Sequence, residues 1–368
     1  MINYLDIIIV VSSSFTAAIL LIILLYHAVI YFQEKKYERL KENWESIIIQ
    51  YLEGRISLDD ASFLLGDEYM YLKKLFDFYL KKLDGIYFQH LKLLSDEIGM
   101  TEYFLKKINS RRKKLAINAI AFIGRLKEER AILYLQKRLN SSDEEIMITS
   151  IWAIASIGET DLLVPVLKSI FSRTHMTFEG ITELMIHFGD KICQPLRDMI
   201  EEDNKGEKRL SHLFEIDEYM ILSLLIDILG YHKDLQAIPV IRQLLVPQQD
   251  TEVLIHIFKA FSRIGVIVEN DLQPYILHID WVVRSQAVRY IGIIKDRRYI
   301  NDLKYLLMDR KWWVRYYAAD TLFRLGEVDL LIDIARSNTS PADICIYVLS
   351  QNKKLLETQV GEISGYTI

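Results

Sequence analysis

The sequence predicts an all-α protein: one transmembrane helix near the N-terminus, followed by an α-solenoid of paired helices. Three observations lead there. Ile7 to Phe32 is a run of 26 residues without Asp, Glu, Lys or Arg. Seven glycines (Gly124, Gly158, Gly189, Gly230, Gly265, Gly292 and Gly326) recur at intervals of 34, 31, 41, 35, 27 and 34 residues. Four of the six prolines, Pro165, Pro195, Pro239 and Pro274, follow their glycines by 7, 6, 9 and 9 residues. Composition agrees: 51% hydrophobic and 26% charged residues make a chain that folds. With 15 Gly and 6 Pro in 368 residues, a turn-rich all-β protein is excluded. Two cysteines, Cys193 and Cys345, cannot build a disulfide framework or a cysteine zinc site, and they suit a reducing compartment.

The apolar run comes first. At 1.5 Å per residue it is roughly 39 Å long, against a hydrocarbon core of about 30 Å. Tyr4 at one end and Tyr26, Tyr31 and Phe32 at the other suit the two aromatic belts. A cleaved signal peptide fits less well, because residues 1–6 carry no Lys or Arg, the run is too long and no small-residue cleavage site follows it. Basic residues lie on one side only: Lys35, Lys36, Arg39 and Lys41. The positive-inside rule therefore puts residues 1–6 outside and everything after 32 in the cytoplasm. With no second such run, the expectation is a single-pass protein of the cell inner (plasma) membrane.

Residues 33–110 read as a helical juxtamembrane region with no clear repeat phase. Leu40, Trp44, Ile47, Ile48 and Tyr51 continue the helix at spacings of three and four, and Gly54 ends it. Ser57 with Asp60 resembles a capping box, and further helices are expected over about 68–83 and 87–98. From Arg111 the glycine–proline rhythm sets in. Each glycine is expected at the left-handed position that ends a helix, and each proline in the first turn of the next. Helix pairs recurring at about 34 residues are the mark of a stacked array. The polar stretch Glu201–Arg209 is expected to be an exposed loop.

Within this rhythm, Asp280-Trp-Val-Val-Arg284-Ser-Gln-Ala287 up to Gly292, and Asp309 through Arg315, Ala318 and Ala319 to Gly326, resemble the "D…VR..A…LG" pattern of the HEAT-repeat family. Glu145 to Gly158 is a weaker copy without the arginine. The resemblance covers roughly 111–350, about seven helix pairs, and leaves 351–368 as a tail. It implies a right-handed solenoid in which Arg284 and Arg315 pair with aspartates such as Asp280 and Asp309 in a structural ladder.

The richest candidate surface is at the C-terminal end of the array. Trp281 to Gly326 holds ten basic and four acidic residues, a net of +6 that leaves −11 for the rest of a chain of formal charge −5. Arg289, Arg297, Arg298, Arg310, Lys311, Trp312, Trp313 and Tyr316 combine the cations and aromatics that anchor protein interfaces. The competing reading places the aromatics in the core. Nucleic acid fits poorly with a membrane anchor and an acidic remainder. A second basic run, Lys106–Lys114, reads as a solvated helix start, with contact to anionic cytoplasmic lipid as the alternative. No catalytic residue, cofactor site or metal site is assigned: the eight histidines lack metal-ligand spacing, and no phosphate-binding glycine loop or nucleophile elbow occurs. The acidic triplets Asp143–Glu145 and Glu201–Asp203 read as helix caps.

The expected function is thus a non-catalytic, membrane-anchored scaffold. Its solenoid would bind a partner protein, itself a membrane protein. By analogy with anchored bacterial HEAT proteins, it would be an accessory subunit of a membrane assembly such as a polysaccharide-making glycosyltransferase. The alternative is a HEAT-like enzyme or ligand binder, resembling chromophore lyases or DNA glycosylases, with a pocket on the concave face.

Overall fold

The computed structural model describes residues 4–173, 176–206, 209–268, 271–337 and 340–352, without side chains for 4–12 and 173. Residues 1–3 of the expected outer segment 1–6, and 353–368 of the expected tail 351–368, lie outside the described residues, while residues 4–6 already belong to the first helix and Gln351 to the last. Every regular element described is helical. The chain divides into two compact units, Met1–Ile157 and Gly158–Ile368.

In the first unit, α1 (Tyr4–Leu52) is one unbroken helix of 49 residues, about 73 Å long. Its apolar stretch is the one helix among the described residues long and apolar enough to cross a membrane. Side chains from Ser13 to Val29 are exposed, and only farther along do Trp44, Ile47 and Ile48 enter a core. α2 (Leu58–Leu65) starts at Ser57, whose Oγ accepts from the Asp60 amide at 3.1 Å. α3 (Tyr69–Leu80), α4 (Gly85–Glu97) and α5 (Met100–Lys107) follow. α3 and α4 match the helices expected from the sequence, whereas α5, which starts at left-handed Gly99, was not anticipated. α6 (Lys113–Arg125), the short α7 (Ile132–Arg138) and α8 (Glu144–Ile157) complete the unit, with α6 packed along α8. Phe76, Phe104 and Phe122 fill the core between α3, α5 and α6.

The second unit runs α9 (Leu163–Arg173), α10 (Phe178–Ile186), α11 (Cys193–Asn204), α12 (Leu210–Phe214), α13 (Glu218–Tyr231), α14 (Ile238–Gln243), α15 (Thr251–Ile264), α16 (Gln273–Ile276), α17 (Trp281–Ile294), α18 (Ile300–Leu306), α19 (Trp312–Arg324), α20 (Val328–Arg336) and α21 (Ala342–Gln351). Longer helices pack side by side in sequence order: α13 on α15, α15 on α17, α17 on α19 and α19 on α21. Pro165, Pro195, Pro239 and Pro274 all fall in the first turn of α9, α11, α14 and α16, where a missing N–H costs no helical hydrogen bond.

The glycine expectation is half right. Gly158, Gly189, Gly265 and Gly326 have φ between +69° and +85°, as helix-ending residues do. Gly124, Gly230 and Gly292 do not. They sit inside α6, α13 and α17, and the left-handed residue is the lysine three positions on: Lys127, Lys233 and Lys295. Their role is helix contact. A Cβ on Gly124 would lie 2.6 Å from Ala153 Cα, and one on Gly230 2.7 Å from Ala260 Cα. On Gly292 it would lie 2.8 Å from Thr321 Oγ1. Two other expectations change. Glu201–Asp203 belong to the last turn of α11, not to a loop or an N-cap. Buried Asp203 accepts from the Leu210 amide at 2.9 Å and so ties α11 to α12. Glu207 and Lys208 of the same stretch lie outside the described residues.

Candidate functional site: an aromatic and basic surface on α17, α19 and α21

The N-terminal ends of α17 and α19 are joined by a shielded ion pair. Arg284 Nε and Nη2 donate to both Asp309 oxygens at 2.8 and 2.9 Å, and Nη1 donates to the carbonyls of His278 and Ile279 at 2.8 and 3.0 Å. The two side chains are 14% and 10% exposed, so the fork is well shielded. One rung of the expected ladder forms and the other does not. Arg284 pairs forward, with the aspartate before the next long helix, while Asp280 caps α17 by accepting from the Val282 amide at 2.7 Å. Arg315 makes no carboxylate pair among the described residues. It donates to the Asp309 carbonyl at 3.0 Å, as Arg284 does to the carbonyl six residues before it.

The Arg284–Asp309 fork sets Lys311 above the Trp281 ring, with Nζ 5.9 Å from the centroid. Trp312 then starts a line of rings. It stacks on Tyr316 (5.3 Å, 5° between planes), meets Trp313 edge-on at 4.8 Å and touches Tyr347 of α21 at 5.8 Å. Trp313 stacks on Tyr317 at 6.1 Å, and Arg289 lies 6.0 Å from the Tyr317 centroid. Trp312 and Trp313 remain 39% and 50% exposed, so they do not fill the core, whereas Tyr290 and Tyr299 do. Burial, then the Asp320 carboxylate, pushes the Tyr316 phenol up, which keeps it a neutral hydrogen-bonding group. Ile279, beside Trp281 at the tip of α17, is 95% exposed.

The eight candidates separate. Arg297 is occupied, donating to the Leu325 carbonyl at 2.6 Å and pairing with Glu327. Arg298 is clamped on Asp296, with contacts of 2.6 to 3.0 Å. Arg289, Arg310, Lys311, Trp312, Trp313 and Tyr316 remain available. Arg289, Arg310 and Lys311 have no carboxylate pair among the described residues, and all three are exposed. Sequence reasoning missed Tyr347 and Ile279: nothing in the linear pattern marks α21 as packing on α19, or the residue before an N-cap as unprotected.

No protein-family model matches the chain, and no curated protein matches it. Among solved structures, the complex of CpcE and CpcF of phycocyanin lyase from Nostoc sp. PCC7120 is similar at 17% identity, over 72% of this chain and 90% of that chain, with a TM-score of 0.27. A superposition of that quality carries neither curvature nor activity from one protein to the other.

Four further polar clusters are structural in their geometry. Asp227 Oδ1 accepts from His256 Nδ1 at 3.0 Å and Arg263 Nη1 at 2.6 Å, joining α13 to α15. Burial alone would raise the Asp227 carboxyl; the hydrogen bonds and charges of His256 and Arg263 outweigh it and hold the carboxyl below its usual range. His232 Nδ1 faces Asp190 at 3.0 Å, and Arg197 pairs with Asp234, near Cys193. Burial, then Asp234 and Asp190, pushes the Cys193 thiol up to about 11, which makes it a poor nucleophile near neutrality. In the first unit, Glu102, Leu105, Lys106, Asn109, Arg130 and Tyr134 line an open groove of about 320 Å³. Its arginine is engaged by Glu128, Asp96 and Glu102 at 2.6, 2.7 and 3.0 Å. From the basic run, Lys113 pairs with Asp143 and Glu145 at 2.8 and 2.9 Å.

Proposed function

We propose that the chain is a non-catalytic scaffold, anchored in the inner (plasma) membrane by α1, whose HEAT-like helical array binds a partner protein in the cytoplasm through the aromatic surface of α19 and α21. The observation that carries this reading is the ring cluster: five aromatic side chains packed on one another at a surface, with Arg289, Arg310 and Lys311 around them. Rings already held by their neighbours lose little freedom on binding, and tryptophan, tyrosine and arginine are the side chains that dominate interface energies. The cations favour an acidic face on the partner. An anchored scaffold concentrates a partner at the membrane, which suits an accessory subunit of a membrane assembly.

The test is purification of the full chain from its native membrane in mild detergent, beside a Trp312→Ala/Trp313→Ala/Arg310→Glu variant. One membrane protein recovered in stoichiometric amount with the parent and lost with the variant supports the reading. If the same proteins accompany both forms, the aromatic surface is not the docking site. If none accompanies either, the scaffold reading fails.

A further inference from the structure

We propose that the hairpin tip where α2 gives way to α3, from Phe63 in the last turn of α2 to Met70 in the first turn of α3, is a second membrane contact, in which Phe63, Leu64 and Met70 enter the lipid interface beside the anchor. The inference rests on reading α1 as that anchor, and it follows from how rigidly the first unit is tied to it. α1 runs without a break from the apolar stretch into the core, so the position of each residue along its axis is a height above the membrane. Tilting fits the apolar run to the thinner hydrocarbon core and leaves Phe32 at its edge, and Lys36, four residues on, lies about 6 Å farther along the axis. The headgroup layer on each side is about 5–7 Å thick. Lys36 is therefore at headgroup height.

Side-chain contacts place α3 against that scale. Lys36 pairs with Glu68 at 2.6 Å and lies 5.0 Å from the Tyr71 centroid. Lys74 covers the Tyr37 ring at 4.7 Å, and the Tyr79 hydroxyl donates to Glu45 at 3.0 Å. Partners on α1 thus advance as α3 advances, so α3 runs parallel to α1 and its first residue points at the membrane. The turn before it, closed by Gly66 at φ +68°, is the membrane-facing tip. On that tip Phe63 is 87% exposed, Leu64 51% and Met70 42%, although Ala61, Leu65 and Leu72 around them are buried. Large apolar side chains gathered at headgroup height match the interfacial anchors of peripheral helices.

The charges here balance: Lys35, Lys36, Arg39 and Lys74 stand with Glu34, Glu38, Asp67 and Glu68. The contact is therefore apolar rather than electrostatic, and phosphatidylcholine, a zwitterion with no net charge, is the fitting probe. The experiment uses full-length protein in phosphatidylcholine vesicles, with a fluorophore on Phe63→Cys, Leu64→Cys, Phe78→Cys or Leu24→Cys. Cys193 and Cys345 are buried, with thiols pushed up to about 11, and stay unlabelled near neutrality. Lipids carrying a quencher at a shallow or a deep chain position report contact. Leu24, in the anchor, is expected to lose fluorescence to the deep quencher. Phe63 and Leu64 are expected to lose it to the shallow one, and Phe78, exposed on α3 away from the tip, to neither. Quenching of Leu24 with Phe63 and Leu64 no more affected than Phe78 overturns the contact and leaves the anchor standing. An unquenched Leu24 overturns the anchor and the contact with it.

Discussion

Adding a single methyl group at Gly230 is expected to destabilise the second unit, although the same change in an ordinary helix stabilises. Gly230 lies in α13 with helical backbone, so Gly→Ala should gain about 0.8–1.0 kcal/mol in helix propensity. The new Cβ, however, would stand 2.7 Å from Ala260 Cα and 2.9 Å from Ala260 Cβ. Carbon pairs prefer roughly 3.5–4.0 Å, so α13 and α15 must part by close to an ångström. The obstacle is backbone, which cannot swing aside as a side-chain end can. Overpacking of a core costs about 1–3 kcal/mol, and the upper part of that range applies here. The net is a loss of about 1–2 kcal/mol, or about 2–8 °C in Tm for a unit of this size. Gly180→Ala is the internal control: it is also helical, but its Cβ would meet nothing closer than 3.4 Å, so a gain of about 0.5 kcal/mol is expected. Thermal and urea unfolding of the full chain, followed by circular dichroism, read both. If Gly230→Ala raises Tm as Gly180→Ala does, the close-approach argument is wrong.

Three further outcomes are expected. Arg284→Met leaves the shielded Asp309 carboxylate without its counter-charge, holding only the Lys311 amide, and should cost about 1–3 kcal/mol in urea unfolding; Arg284→Met/Asp309→Leu should recover much of it, because no uncompensated charge remains. Asp227 titrates below its unfolded value of about 3.9, so its contribution is full above that pH and is lost as pH falls through the lower native value. Asp227→Asn should therefore flatten the acid limb of a stability-against-pH profile, and an unchanged limb would remove Asp227 from it. Cys193 and Cys345, buried and pushed up to about 11, should react with a disulfide reagent at pH 8 only after denaturant is added; rapid labelling of the native protein would contradict their burial.

Much of the architecture is legible along the chain because it depends on local chemistry. A run free of charge for 26 residues has to find an apolar environment, and Ser57, Asp143 and Asp280 mark helix starts by accepting from amides two or three residues on. Proline in a first helical turn is likewise a local matter. The glycines show where this stops. Gly265 and Gly230 look alike in sequence, each after an apolar helical segment, yet one takes a positive φ and the other makes room for Ala260.

The candidate surface has the same division. That Trp312, Trp313 and Tyr316 share a segment with Arg310 and Lys311 is plain from the sequence. Whether those rings were core or surface was not, since an aromatic at helical spacing serves either. Packing of α21 against α19 adds Tyr347 and leaves one side of the rings open, while Asp296 and Glu327 remove Arg298 and Arg297 from the available set. Composition and periodicity determined the helical class, the apolar helix and the pairing rhythm, because each follows from forces acting within one or two turns. Tertiary structure alone decided which charges are neutralised, which glycines are contacts and which apolar side chains stay uncovered, because each of these depends on what a distant segment places opposite.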